Sequence, residues 1–145
     1  MKRPLSVQIN VLSNLIHRRC DEYVTAKLGA PDQNYTETNA KVIGFLMVNN
    51  DRDIFQKDIE EALQLRRSTV STLLQGMEKK GFITRESVAS DARVKKIIPT
   101  NKALEIQKEI APVLSSFEKS LAKGISPEEE KIFLSVLKRL ESNLH

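Results

Sequence analysis

The residue types on which catalysis and metal binding depend are scarce in this chain of 145 residues. It contains one cysteine, Cys20, and two histidines, His17 and His145, which lie far apart in the sequence. A single cysteine excludes an intrachain disulfide and a CxxC metal site, and neither histidine stands at a metal-ligand spacing. The five glycines are scattered and form no phosphate-binding loop. We therefore expect no enzyme active site and no metal or other cofactor.

The segment from Ser68 to Lys80 predicts a helix with one small, polar side. Its apolar residues share the other side: Val70, Leu73, Leu74 and Met77. The opposite side carries Ser68, Thr72, Gln75 and Lys79, and Ser71 flanks it. Short hydroxyl and amide side chains can approach base edges, and glutamine can form two hydrogen bonds with adenine in the major groove. An ordinary solvent-facing helix more often carries pairs of glutamate and lysine, so we interpret this side as a surface that reads DNA bases.

The positive charge of the chain is concentrated around that helix. The whole chain carries a net charge of +4, with a pI near 9.2. From Arg66 to Lys102, nine basic residues stand against three acidic ones, a net charge of +6, so the remainder carries −2. Arg66 and Arg67 precede the predicted helix and Lys79 lies near its end, where they would bind phosphates without reading sequence.

After Gly81 the pattern changes to that of a basic β-hairpin. Phe82–Arg85 and Val94–Ile98 are predicted strands, and the small polar segment Ser87–Ala92 is the predicted loop. The strands and loop carry four cations: Arg85, Arg93, Lys95 and Lys96. The loop is expected to reach an adjacent minor groove, whose negative potential attracts arginine. Asp91 either pairs with Arg93 or Arg85 and fixes the loop, which is the favoured interpretation, or belongs only to the turn.

Further helices are predicted on both sides of this segment. Leu5–Leu28 has one apolar stripe and is expected to stop at the turn Gly29–Asp32. Glu37–Val48, capped by Thr36 or Thr38, is strongly apolar and supplies the expected centre of the core: Val42, Ile43, Phe45 and Leu46. Phe55–Leu63 then forms, with the tight turn that follows, the first half of a helix-turn-helix.

Two helices are predicted in the C-terminal part. Thr100 is expected to cap a helix that runs to about Lys123 and contains Pro112, where a kink is expected. Ser126 and Pro127 open the last helix, followed by three glutamates that suit the positive end of a helix dipole. These helices and the first one carry apolar seams longer than one small lobe could cover, which is typical of an interface.

Three stretches of the sequence resemble the multiple-antibiotic-resistance regulator (MarR) family of winged-helix transcription factors. They are Phe55–Leu63, then Arg67–Leu74 running on to Met77–Ile83, and then Asp91-Ala92-Arg93 with Thr100-Asn101-Lys102 nine residues later. The spacing of Asp-x-Arg and Thr-x-Lys is the most specific of these features. Pro99 and Ala103 depart from the family pattern, which usually has leucine and glycine there, and both fall at the join of strand and helix.

The resemblance implies a mainly α fold with a small β-hairpin wing, in one domain spanning residues 1–145. The winged-helix DNA-binding lobe is expected at residues 36–100, and a helical dimerisation region at residues 1–30 and 101–145. A homodimer would present two lobes to a pseudo-palindromic operator, as a repressor that a small aromatic or phenolic effector releases. The expected DNA contacts are Ser68, Ser71, Thr72 and Gln75 on bases, Arg66, Arg67, Lys79, Arg85 and Lys95 on the backbone, and Asp91 and Arg93 in the wing.

Two alternatives remain beside this interpretation. The first is DNA binding without sequence specificity, for which the basic hairpin alone would suffice, or a helical protein-interaction module. The second concerns Cys20, since some relatives sense oxidants with a cysteine in the first helix. Its place on the apolar stripe favours packing over sensing. The longest apolar run, Val42–Val48, contains Gly44 and is too short to span a membrane, so we expect a cytoplasmic protein.

Overall fold

A computed structural model, which describes residues 2–29 and 35–145, shows six helices and one β-hairpin along these residues. In chain order the elements are α1 (Leu5–Leu28), α2 (Glu37–Val48), α3 (Gln56–Leu63), α4 (Arg67–Lys79), β1 (Ile83–Val88), β2 (Asp91–Pro99), α5 (Asn101–Leu121) and α6 (Pro127–Ser142). The chain divides into two compact units, one ending at Leu114 and the other running from Ser115 to His145, and α5 contributes to both. The predicted mainly α fold with a hairpin wing is confirmed.

The core of the first unit is built around α2 and α4. Val42, Ile43 and Leu46 of α2 are buried, as predicted, whereas Phe45 is partly buried and packs against the core from its edge. The other large side chains that are fully buried come from α3, α4, the residue before β1 and β1 itself: Ile59, Val70, Leu74, Met77, Phe82 and Ile83. This shared core fixes α4 and the hairpin against each other.

The helix ends follow the capping residues seen in the sequence. At Thr36, the side chain accepts from the backbone N–H of Asn39 at 3.1 Å while Asn39 accepts from the Thr36 backbone at the same distance. Ser126 and Glu129 form the same reciprocal arrangement at the start of α6. Of the predicted turn after α1, Gly29 has a φ of 72° and residues 30–32 lie outside the described residues.

A partly buried tyrosine, Tyr35, connects the segment before α2 to α5. The Tyr35 hydroxyl donates to Oε1 of Gln107 at 2.6 Å, and Nε2 of Gln107 donates to the Ala40 carbonyl at 3.3 Å. Burial raises the pKa of Tyr35 well above its ordinary value, so the phenol keeps its proton and remains a donor. Both polar ends of the buried Gln107 side chain are thereby paired.

The hairpin differs from the prediction in the extent of its strands. The segment Ser87–Ala92 was predicted as a loop, but β1 extends to Val88 and β2 begins at Asp91, which leaves only residues 89 and 90 as the turn. Small polar residues here indicate a solvent-facing strand rather than a loop, because both faces of this end of the hairpin are exposed. Ser87 pairs with Lys95 and Val88 with Asp91, so residues 92–94 form a bulge on β2.

Candidate nucleic-acid interface

The turn between α3 and α4 is short and internally bonded. Gln64 adopts a left-handed backbone conformation with a φ of 51°, and its N–H donates to the Glu61 carbonyl at 3.3 Å. The N–H of Leu65 donates to the Glu60 carbonyl at 3.1 Å, and the Leu65 side chain packs against the core. These bonds end α3 and set the direction in which α4 starts, which is the arrangement that the helix-turn-helix pattern predicted.

The two sides of α4 are arranged as the sequence indicated. Val70, Leu74 and Met77 are buried, and Ser68, Thr72, Gln75 and Lys79 are exposed on the other side. Ser71 is only partly exposed, because its hydroxyl accepts from Nε2 of Gln56 in α3 at 3.1 Å. Three of the four predicted base-reading side chains therefore face solvent, and the fourth is held by a neighbouring helix.

An open groove of about 750 Å³ runs between the starts of α3 and α4 and the hairpin, which we call the wing. Five of the predicted DNA-contact residues line this groove: Arg67, Ser71, Arg85, Arg93 and Lys95. Lys57, at the start of α3, lines it too and was not among the predicted contacts. Its signal was weak because it is an isolated lysine outside the basic segment. Asp58 and Glu60 are the acidic residues of the lining.

Of the other predicted backbone contacts, Arg66 and Lys79 are exposed but do not line this groove. Arg66 is the residue immediately before α4 and Lys79 is its last residue. They therefore stand at the two ends of the exposed side of α4. Cations in these positions could bind phosphates at either end of the exposed side of α4.

Arg85 has an intramolecular partner that the sequence did not reveal. Its guanidinium donates to the two carboxylate oxygens of Glu78, from Nη2 at 3.1 Å and from Nε at 3.4 Å. The hydrogen bond from Arg85 holds the pKa of Glu78 below its usual value. The pair ties the last turn of α4 to β1, and it leaves Arg85 less available for DNA than Arg93.

The wing residues Asp91 and Arg93 are paired with each other. Oδ1 of Asp91 accepts from the Arg93 backbone N–H at 2.9 Å and lies 3.5 Å from the Arg93 Nε. The Arg93 side chain is nevertheless 93% exposed. Asp91 therefore fixes the backbone beside the bulge while the guanidinium extends into solvent, and it makes this pair with Arg93 rather than with Arg85.

The two residues considered for redox or metal chemistry, Cys20 and His17, both have contacts within the fold. Cys20 is buried, and Nδ1 of His17 lies 2.5 Å from Oε2 of Glu37, joining α1 to the start of α2. Within residues 2–29 and 35–145, no group of three or more His, Cys, Asp and Glu side chains is placed to hold a metal ion. No helix in the same residues has the length and apolar character needed to cross a membrane.

Comparison with known proteins agrees with this geometry. The model of the MarR family matches residues 34–94, the segment that contains α2, the helix-turn-helix and most of the wing. The transcription regulator MarR from Oenococcus oeni PSU-1 is 26% identical, over 96% of this chain and 99% of that one, with a TM-score of 0.76. The heme sensor protein PefR from Streptococcus agalactiae, in complex with heme, is 27% identical over 99% of this chain and 95% of that one, with a TM-score of 0.61.

The S. aureus MepR–DNA complex shares the fold more closely. It has a TM-score of 0.84 and 24% identity over 99% of this chain and 100% of that one. The family match covers α3, α4 and β1 but only the start of β2, and the likeness to solved regulators extends over almost the whole chain. Residues 34–94 therefore match the MarR family, and the chain as a whole resembles solved transcription regulators of that kind.

Proposed function

We propose that the protein is a sequence-specific repressor that binds a pseudo-palindromic operator as a homodimer. The observation that carries the proposal is the groove in which Arg67 and Ser71 of α4 meet Arg93 and Lys95 of the wing. A helix with an exposed polar side beside a basic hairpin can place base-reading groups in the major groove and cations on the flanking phosphates.

Within this proposal the residues divide by role. Ser68, Ser71, Thr72 and Gln75 read base edges, and the hydroxyl of Ser71 does so while held by Gln56. Arg66, Arg67, Lys79, Arg85 and Lys95 contact the backbone, with Arg85 acting beside its pair with Glu78. Arg93, positioned by Asp91, enters the minor groove next to the wing.

Exposed apolar residues support the homodimer. In α1, Leu5 is 59% exposed, Ile9 45% and Leu12 47% in the single chain. In the second unit, Ile132, Phe133 and Leu134 of α6 are also largely exposed. Apolar surface of this extent on helices indicates an interface, and we propose that residues 1–30 and 101–145 form it, with residues 36–100 as the DNA-binding lobe. Two-fold symmetry would then place the lobes on half-sites about one helical turn apart.

A small aromatic or phenolic effector is proposed to release the protein from DNA. The support comes from the relatives, among which PefR is described as a heme sensor and was solved with heme, a planar aromatic ligand. Effector action requires different affinities for the DNA-bound and the free conformation. Titration of candidate compounds against the preformed protein–operator complex would measure that difference.

Selection of DNA from a random pool by the purified protein tests the main proposal. We expect an enriched pseudo-palindrome, and an affinity for it that exceeds the affinity for bulk DNA by about 10³ or more at one fixed salt concentration. A ratio near one would instead establish a DNA-binding protein without sequence specificity, for which the exposed wing arginine suffices. Light scattering of the free protein should give the mass of a dimer.

A further inference from the structure

The first turn of α5 contacts the C-terminal end of the reading helix α4. The Thr100 hydroxyl donates to the Gly81 carbonyl at 2.6 Å and accepts from the Ala103 N–H at 3.3 Å. The same hydroxyl therefore caps α5 and is hydrogen-bonded to the end of α4. The Thr100 N–H donates to the Phe82 carbonyl at 3.0 Å. The two helix ends are therefore joined by direct hydrogen bonds.

The end of α4 that receives these bonds has a defined geometry of its own. Gly81 has a φ of 81°, its N–H donates to the Glu78 carbonyl at 3.1 Å, and the Phe82 N–H donates to the Met77 carbonyl at 2.9 Å. This is a Schellman ending, accompanied by burial of both Met77 and Phe82. The carbonyls of Lys80 and Gly81 lie past the last helical residue, and their partners come from α5 and the residue before it.

Thr100 is the partner of the Gly81 carbonyl, and Lys102 is the partner of the Lys80 carbonyl. Its Nζ donates to the Lys80 carbonyl at 3.1 Å and lies 5.0 Å from the centre of the Phe82 ring. A cation is favourable at the negative C-terminal end of a helix and over the face of an aromatic ring. Phe82 is held on another side by Tyr35, whose ring meets it edge-on with centres 5.0 Å apart. One ammonium group thus contacts both the carbonyl of Lys80, the C-cap of α4, and the residue that joins α4 to the wing.

We propose that Lys102 is a positioning residue for DNA reading, which sets the pose of α4 from the first turn of α5 without touching DNA. The inference rests on the proposed sequence-specific function. Lys102 belongs to the basic segment Arg66–Lys102, but its ammonium is engaged at the end of α4. Loss of that contact loosens the last turn of α4, and precise base contacts suffer before phosphate contacts do.

The test uses Lys102→Met, which keeps the aliphatic stem over Phe82 and removes the charge and the donors. Lys108→Met, at an exposed lysine of the same helix, is the matched control, and Lys102→Arg should rescue. Hydrogen exchange in the DNA-free protein reports on the backbone amides of Lys80, Gly81 and Phe82. We expect these amides to exchange about tenfold faster in Lys102→Met, since a hydrogen bond to a charged group is lost, and to be unchanged in the control.

DNA binding distinguishes positioning from direct contact. We expect Lys102→Met to weaken binding to the selected operator about fivefold to tenfold, with bulk-DNA affinity and the salt dependence of binding unchanged. Equal weakening on both DNAs, with a salt slope reduced by about 0.9, would show a phosphate contact and overturn the inference. Unchanged operator affinity, or unchanged amide exchange, overturns it as well.

The exchange measurement also separates this inference from the proposed function. If the wild-type protein shows no operator preference, the repressor proposal fails whatever Lys102 does. Accelerated exchange confined to Lys102→Met would still establish the contact between α5 and α4 in the free protein. Wild-type specificity that persists in Lys102→Met would refute the positioning role alone.

Discussion

At the scale of single residues, Arg93 combines a fixed backbone with a solvent-exposed side chain. Asp91 binds its N–H and approaches its Nε, yet the guanidinium remains 93% exposed. A cation presented in this way can enter a groove of DNA with little rearrangement of the chain around it. Arg93 is therefore more available for DNA binding than Arg85, which is already bound to Glu78.

Replacement of Arg93 by alanine should weaken operator and bulk-DNA binding by the same factor. The reason is that a phosphate or minor-groove contact of this kind carries little sequence information, and its loss should lower the slope of log affinity against log salt by about 0.9. Titrations at several salt concentrations measure the slope, with Lys108→Ala as a control. A loss confined to the operator would show that the wing reads bases.

Gln75→Ala tests the exposed side of α4. We expect relaxed preference at one base pair in each half-site, with about 1–3 kcal/mol of discrimination lost there, because a side-chain amide can bond adenine through two hydrogen bonds. Binding to a panel of operators, each changed at one base pair, measures the preference. Thr69→Ala, exposed on another side of the same helix, should leave all preferences intact. Unchanged preference in Gln75→Ala would mean that another side of α4 faces the bases.

The sequence indicated which residues are polar and exposed on α4, because helical spacing alone determines the sides of a helix. It did not indicate that Ser71 is held by Gln56 or that Arg85 is held by Glu78. Partners separated by 15 and 7 residues depend on how α3, α4 and the hairpin pack, and no local pattern encodes that packing. Thr100 and Lys102 were visible as a motif, whereas their contacts with the end of α4 were not.

At the scale of elements, the pair of Glu78 and Arg85 joins α4 to the wing. The pKa of Glu78 is lowered in the folded protein from its ordinary value of 4.5, chiefly by the hydrogen bond from Arg85. A lowered carboxyl pKa contributes stability that is present above the ordinary pKa and is lost as the pH falls through the folded value. The connection between the two elements should therefore weaken in acid.

Glu78→Gln removes the charge of this pair and tests its contribution. We expect the free energy of unfolding to fall by less than about 1 kcal/mol near neutral pH, since the pair lies at the surface. The difference between wild type and variant should shrink as the pH drops below the ordinary range of glutamate. Urea unfolding at a series of pH values measures it, and Glu86→Gln, farther along β1, provides the comparison. A difference that grows in acid would contradict the assignment.

The element boundaries show why caps were more predictable than strand ends. Thr36, Thr100 and Ser126 act at helix starts through their own side chains, so the local sequence specifies them. The predicted loop of the hairpin was wrong, because the ends of paired strands depend on the register of the opposite strand. The kink expected at Pro112 stays a prediction, and Pro112 does lie inside α5.

At the scale of the whole molecule, the exposed apolar side of α1 is the place to test the proposed homodimer. Leu12→Glu should convert the proposed dimer to a monomer, because a carboxylate would have to be buried in an apolar interface. Operator affinity should then fall steeply, since both half-sites can no longer be bound by one linked species. Sedimentation and operator titration measure the two effects, with Asn10→Glu on the polar side of α1 as the control. A dimer that survives Leu12→Glu would place the interface elsewhere.

The bulge at residues 92–94 has a consequence for how such proteins diverge. The ladder from the Ile83–Pro99 pair to the Ser87–Lys95 pair is continuous, and the irregularity is confined to the outer end of the hairpin. A residue gained or lost there alters how far the wing extends without shifting the register near the core. Wing reach can therefore be changed by insertion or deletion, in evolution or by design, independently of the residues with which α4 is proposed to read bases.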